Sequence, residues 1–544
     1  MGDTMLARNA NAVLFACATL VAGGCYSGID GGSAGGGADD EGPGGGDAAD
    51  GADGGADDGD DDGADDGADD GAAAGDCNGF DSALRRLNLR EYEAALQGLL
   101  GEDVVPGDAF PDDALAAGFD IDAGVLPVSD VWLSAHANLT EAAVTAALEP
   151  GSPMRDEILV CTPQSPDEEV GCAEQILAAF GRRAWRRAVT EAELSDLLEF
   201  RAVAAAEGDG FEQAIALALE AILMSPNFVF KVEQSEGGVV TGYELATRLA
   251  FFLWSGPPDD ALLDVAESGA LDTEAGLQAE IDRALADPRA AALTDGFAAQ
   301  WLQLDHLDDY ESPPGAASAW DDALHDAMAA ESRATFAAAL ADDLTLAELV
   351  SSPQILVNET LAAHYGIDGV QGPEFVWVDG AAANRHGLVT QGAILTLSSH
   401  PGQSSPTRRG LWVTDRLLCA PPPPPPADVD NTLPEPTPGE EPQTIREFLE
   451  QTHLAEPSCA GCHEYLDPVG FALETYDATG AYRTEYPNGA AIDDDGWLGD
   501  TDVDGAAGLA EAIAAQPSLQ TCVASYAVAY AHNRTRRGDD ACAV

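Results

Sequence analysis

The sequence predicts a mainly α fold: several helical modules, with one small cysteine-bearing module set apart by a polyproline run. Three observations lead there. Helix starts are marked repeatedly by capping boxes, in which a Thr side chain caps the first turn and a Glu three residues later reaches back: Thr190 with Glu193, Thr241 with Glu244, Thr345 with Glu348, and Thr444 with Glu447. Apolar residues recur at three-and-four spacing, as in 84–96, whereas alternating strand patterns are scarce and 374–378 is the best of them. Six consecutive prolines, Pro421 to Pro426, continued by Pro434, Pro436, Pro438 and Pro442, make a stiff spacer before the last part of the chain.

Taken in order, the chain opens on an export signal. Arg8 lies in a short polar head, residues 12–22 are an apolar run too short to span a bilayer permanently, and Gly23-Gly24-Cys25 follows. The arrangement resembles a bacterial lipoprotein signal (residues 1–25), which implies that Cys25 becomes the acylated mature N-terminus. Tyr26, where an inner-membrane lipoprotein would carry aspartate, implies the outer membrane or cell surface of a Gram-negative-type bacterium. Residues 26–76 are almost wholly Gly, Ala and Asp, too poor in apolar anchors to offset ordering entropy, so they read as a charged tether. Punctuation by Pro, Gly and Ser then divides the body into helical modules at 77–150, 151–238 and 239–419. The polyproline linker covers 420–442, the small cysteine-bearing module 443–490, and a C-terminal helical module 491–544.

Asp and Glu outnumber Lys and Arg 96 to 24 over 544 residues, a formal net charge of -72. Such a balance excludes nucleic-acid binding by phosphate neutralisation. Of ten cysteines, Cys17 lies in the signal, Cys25 takes lipid, and Cys459 and Cys462 form a separate motif. The six that remain suit disulfides in an exported chain. Proximity favours Cys161 with Cys172 and Cys522 with Cys542, which leaves Cys77 for Cys419. Asp500, Asp502, Asp504 and Glu511, with Gly505, match the D-x-D-x-D-G-x5-E calcium loop position for position, although Gly496 to Gly499 stands where an entering helix belongs.

The chemistry concentrates at Cys459-Ala460-Gly461-Cys462-His463. Two thiols at this spacing can add across the vinyl groups of one porphyrin, and the following histidine is placed to ligate its iron. A disulfide or half a zinc site is the plainer reading. No second C-x-x-C or C-x-x-H accompanies it, and a thioredoxin-like pair would need a preceding strand and a following helix, where the sequence has Pro457 and Asp467-Pro468. Covalent haem c, with His463 proximal, is the expectation. For the far side of the iron, His400 in the loop Ser398-Ser399-His400-Pro401-Gly402 is the first candidate, ahead of His453 and His532, and an open sixth site is an equal alternative. Arg408 and Arg409 could pair with haem propionates, against the plainer alternative of pairing with the protein's own carboxylates.

Five stretches are familiar in combination: LRRLNLREYEAALQGLL (84–100), FGRRAWRRAVTEAEL (180–194), YELATRLAFFLWSGPPDD (243–260), QGAILTLSSHPGQSSPTRRGLWVTDRLL (391–418) and CAGCHEYLDPVGFALETYDATGAYR (459–483). In this order they resemble the modules of the planctomycete-type cytochrome c family of exported proteins. That resemblance implies a haem protein of the cell envelope, with no reaction attached. Electron transfer through one c-type haem to a redox partner protein, from a membrane lipid anchor, is therefore the first functional expectation. The alternative is an envelope binding or scaffold protein for a polysaccharide or partner protein, with haem accessory or absent. An enzyme oxidising a substrate at an open haem site is the third.

Overall fold

The computed structural model describes residues 84–536 apart from 117, 234–239, 241, 312–319, 343 and 424–443. Helices dominate, and among the described residues the strands form only three two-stranded antiparallel sheets. The chain enters through β1 (Arg85–Arg86), paired with β2 (Phe230–Lys231). The helix expected over 84–96 therefore starts later, as α1 (Leu89–Leu100), with Asn88 and Glu91 forming a capping box. The physical reason is the two arginines. Both are buried at the chain entry, Arg85 on Glu91 and Asn533 and Arg86 on Asp113 and the Pro127 carbonyl, while their backbone pairs with β2.

With α2 (Asp130–Leu148), α3 (Glu169–Trp185), α4 (Glu191–Glu207) and α5 (Phe211–Met224), α1 encloses a first apolar core. At its centre the buried His136 accepts or donates at Nδ1 to the Tyr92 hydroxyl (2.6 Å) and at Nε2 meets the Leu223 carbonyl (3.1 Å). Burial holds that imidazole down at about 4, so it is neutral and structural. The disulfide Cys161–Cys172 closes the loop leading into α3, as sequence proximity suggested.

Helix α6 (Gly242–Trp254) is a shared wall: Phe251 faces the first core, while Leu245, Leu249, Phe252 and Leu253 face a second. Its expected cap residue, Thr241, lies outside the described residues; the boxes at Thr190, Thr345 and Thr444 are formed. The second core takes in α7 (Asp322–Ala341) and the hairpin of β3 (Gln354–Val357) with β4 (Val376–Asp379), close to the strand read at 374–378. It continues through α8 (Pro406–Trp412), then, beyond the linker and α9 (Ile445–Thr452), through α10 (Pro457–Phe471), β5 (Asp495–Leu498), β6 (Thr501–Asp504), α11 (Gly505–Ala514) and α12 (Pro517–Ala531). No helix among the described residues is long and apolar enough to cross a membrane.

Two features of this half correct the cysteine and calcium expectations. Helix α8 runs on through a π turn (Val413–Leu417) to Cys419, whose left-handed backbone (φ 54°) ends the segment against α12. There Cys419 is bonded to Cys522, Cα atoms 5.3 Å apart, so Cys522 does not pair with Cys542 nor Cys419 with Cys77; Cys77 and Cys542 lie outside the described residues. Folding brings together cysteines 103 residues apart and overrides nearness in sequence. The calcium match likewise dissolves. Asp500 sits in a hairpin turn, Asp502 and Asp504 lie on β6, and Glu511 lies on α11. A strand spreads its residues along an extended ribbon, whereas a calcium loop curls them around one point. No group of three or more His, Cys, Asp or Glu able to hold a metal ion forms among the described residues.

Candidate functional site

The C-x-x-C-H sequence occupies the opening turns of α10. Pro457 begins this helix at its first position, where a missing N–H costs nothing, and Asp467-Pro468 does not break it. Residues 467–471 continue the helix to Phe471, with Pro468 inside it. What precedes the motif is helix α9, not the strand of a thioredoxin-like unit. On a helix, residues at i, i+3 and i+4 share a face, so Cys459, Cys462 and His463 project together. Neither thiol is in a disulfide, and both are half-buried. A Cβ at Gly461 would meet nothing within 4 Å, so this turn borders open space.

The histidine of the motif is held from behind. His463 Nδ1 lies 2.8 Å from Asp467 Oδ2, one helical turn on, and the Asp467 carboxylate is fully buried. Its other oxygen accepts from the Thr407 hydroxyl of α8 at 2.6 Å. With the carboxylate ionised and the imidazole neutral, the carboxylate can only accept, Nδ1 carries the proton and Nε2 keeps its lone pair for a metal. This donor set suits a c-type haem: two thiols outside any disulfide and one imidazole on one helix face. When bound, haem supplies a one-electron iron couple. Cys459 and Cys462 would hold the porphyrin edge and His463 Nε2 the iron.

The helix carrying the motif is seated by glycines. A Cβ on Gly410 of α8 would run into the Leu466 carbonyl, and one on Gly470 of α10 into the Pro406 carbonyl. Gly496 of β5 approaches the Pro468 carbonyl in the same way. Backbone meets backbone at all three points, so no side-chain rotation could relieve an added methyl. The turn after α10 is braced as tightly. Glu474, fully buried, accepts from Ser404 (2.8 Å) and Tyr486 (3.1 Å), and Asp477 Oδ1 takes the amides of Thr479 and Ala481 at 2.8 and 2.9 Å. Arg483 reaches the Glu474 carbonyl and Ser404.

That brace consumes one predicted propionate ligand. Arg409 is buried, its guanidinium donating to the carbonyls of Leu473 (2.6 Å), Tyr476 (3.0 Å) and Asp477 (2.7 Å) and to Ser399 Oγ (3.1 Å). Burial pushes its pKa down to about 10. It is a structural clamp, so the propionate role falls away from it. Arg408 is exposed, donates to the Ser399 carbonyl at 2.7 Å, and has its pKa lowered by the partial desolvation of its guanidinium. Phe471 is buried with the Arg446 guanidinium 4.1 Å from its ring centroid.

The distal candidates are dispersed. His400 is paired through its backbone with Gln403 in a tight turn, its pKa lowered by burial and the neighbouring Arg408. His453 stands beside His463, ring centroids 4.3 Å apart. Metal–imidazole bonds run about 2 Å each, so an iron between two rings would hold the centroids much farther apart; His453 thus flanks the proximal side. His532 is buried, and burial together with Arg248 and Arg534 holds it at about 3, a neutral core residue. Met328 is buried in α7 against Gly392. Sequence reasoning missed Asp467 and Thr407. The four-residue step from His463 to Asp467 carries the first signal, once 457–471 is taken as one helix; nothing local marks Thr407.

Helical modules gathered on two cores, with a Cys-x-x-Cys-His turn presented on one helix face, define a cytochrome-like multi-domain protein. Four family models match in succession: PSD3, protein of unknown function (DUF1587), at 85–149; PSD5, protein of unknown function (DUF1595), at 172–233; PSD4, protein of unknown function (DUF1592), at 240–367; and PSCyt3, protein of unknown function (DUF1588), at 385–486. These are the planctomycete cytochrome c-type multi-domain families, and the Cys459–His463 turn falls within the PSCyt3 match. No curated protein and no solved structure matches the chain.

Proposed function

We propose that this protein is an exported, lipid-anchored c-type cytochrome that passes electrons at the cell envelope, with haem c attached to Cys459 and Cys462 and its iron ligated by His463. One observation carries the proposal: the two thiols and the histidine share a helix face, and His463 Nδ1 is committed to Asp467, leaving Nε2 for iron. The succession of cytochrome c-type family modules supports it. In this reading Cys25 is acylated and the 26–76 tether holds the body off an outer membrane, where a redox partner protein exchanges one electron at a time.

The test uses the protein exported from a host with cytochrome c maturation. A haem stain after denaturing electrophoresis, an absorption spectrum and an intact mass should show one covalent haem and a lipid-modified Cys25 at the mature N-terminus. His463→Ala should lose the covalent haem. An unstained wild type, or a Cys459–Cys462 disulfide by mass spectrometry, would sink the proposal; a spectrum altered by carbon monoxide would turn it toward substrate chemistry at an open iron site.

A further inference from the structure

We infer that Asp467 sets the electron affinity of the iron: its buried carboxylate, aligned by Thr407 of a neighbouring helix, accepts the His463 Nδ1 proton and holds the reduction potential low. The inference rests on the haem reading above, and it concerns a residue that touches neither porphyrin nor iron, so Asp467 is a positioning residue.

A backbone carbonyl would accept the same proton with a partial charge; here the acceptor is a carboxylate, fully shielded from water, 2.8 Å from Nδ1. In surroundings of low dielectric such a charge acts strongly on its hydrogen-bonded neighbour. It draws the Nδ1 proton toward itself, enriches the ring, and makes Nε2 a stronger donor to a metal. A stronger donor favours ferric over ferrous iron, and so lowers the potential. The second carboxylate oxygen is tied at 2.6 Å to Thr407, which stands on α8 and not on the haem helix. Since α8 and α10 meet backbone to backbone at Gly410 and Gly470, the Thr407 to Asp467 distance is set by the seam and not by side-chain flexibility. Thr407 also withdraws part of the carboxylate's charge, so the two residues act on the iron in opposite directions.

The test is the midpoint potential of the full-length, haem-loaded protein by optical redox titration. Asp467→Asn, which keeps the shape and removes the charge, should favour reduction about tenfold, a rise of ~59 mV for one electron. Thr407→Val, which leaves the whole carboxylate charge facing His463, should shift the potential in the opposite sense. A potential in Asp467→Asn that is unchanged or lower overturns the inference. If Asp467→Asn fails to mature, Thr407→Val decides alone: a lower potential supports the inference, and an unchanged or higher one overturns it. Failure of the haem reading is separately visible, because then the wild type carries no covalent haem to titrate.

Discussion

Glu91→Gln should be among the most damaging single substitutions in the chain. Its carboxylate is buried and receives both Arg85 nitrogens at 2.7 Å, the Lys231 ammonium at 3.3 Å and the Asn88 amide at 3.1 Å. Burial pushes the carboxyl pKa up, but Arg85 and Lys231 outweigh it and hold the group at about 2, against an ordinary 4.5. At about 1.36 kcal/mol per pKa unit, that depression corresponds to roughly 3 kcal/mol of native-state stabilisation. The sign follows from the depression: the contribution is complete above about 4.5 and is lost as the pH falls toward about 2. Glutamine keeps the shape but leaves the buried Arg85 guanidinium facing a neutral amide, beside a Lys231 that burial already holds down at about 7, so the expected loss at neutral pH is about 3–5 kcal/mol. Arg85 also grips Asn533 at 2.9 Å, so the junction between the chain entry and the end of α12 should loosen as well. Urea unfolding followed by circular dichroism would measure the deficit at pH 7 and pH 3, where it should shrink to less than half. A loss under about 1 kcal/mol, or a deficit undiminished at pH 3, would refute the reasoning.

Two further changes probe the half that carries the Cys459–His463 turn. Gly410→Ala would press a methyl into the Leu466 carbonyl across the α8–α10 seam, where overpacking costs about 1–3 kcal/mol; a thermal midpoint and covalent haem yield equal to the wild type's would contradict it. Cys522→Ser opens a cross-link spanning 103 residues and should cost roughly 2–4 kcal/mol. Non-reducing peptide mapping of the wild type should recover Cys419 joined to Cys522, and a Cys522–Cys542 peptide would refute that pairing.

Much of this protein is written in local pattern. Capping boxes at Thr190, Thr345 and Thr444 place helix starts correctly because a cap is a contact across three residues. The Cys459, Cys462, His463 constellation is likewise local, and Glu474, Asp477 and Arg483 hold the turn that follows its helix. The reading of 84–96 as helix failed at Arg85 and Arg86, because their partners, Lys231 and Asn533 for the first and Phe230 for the second, are far away in the chain.

What the sequence alone determined is therefore the helical class, the places where helices begin, and the donor atoms offered for a haem. Only the tertiary structure decided that Cys419 meets Cys522, that Arg409 spends its donors on a turn, that the aspartates at 500–504 lie along a hairpin, and that Thr407 and Asp467 stand behind His463. The physical reason is range. Capping and helical periodicity are settled within a turn or two of chain, whereas a buried charge, a disulfide or a backbone seam depends on which distant segments the two cores bring into contact.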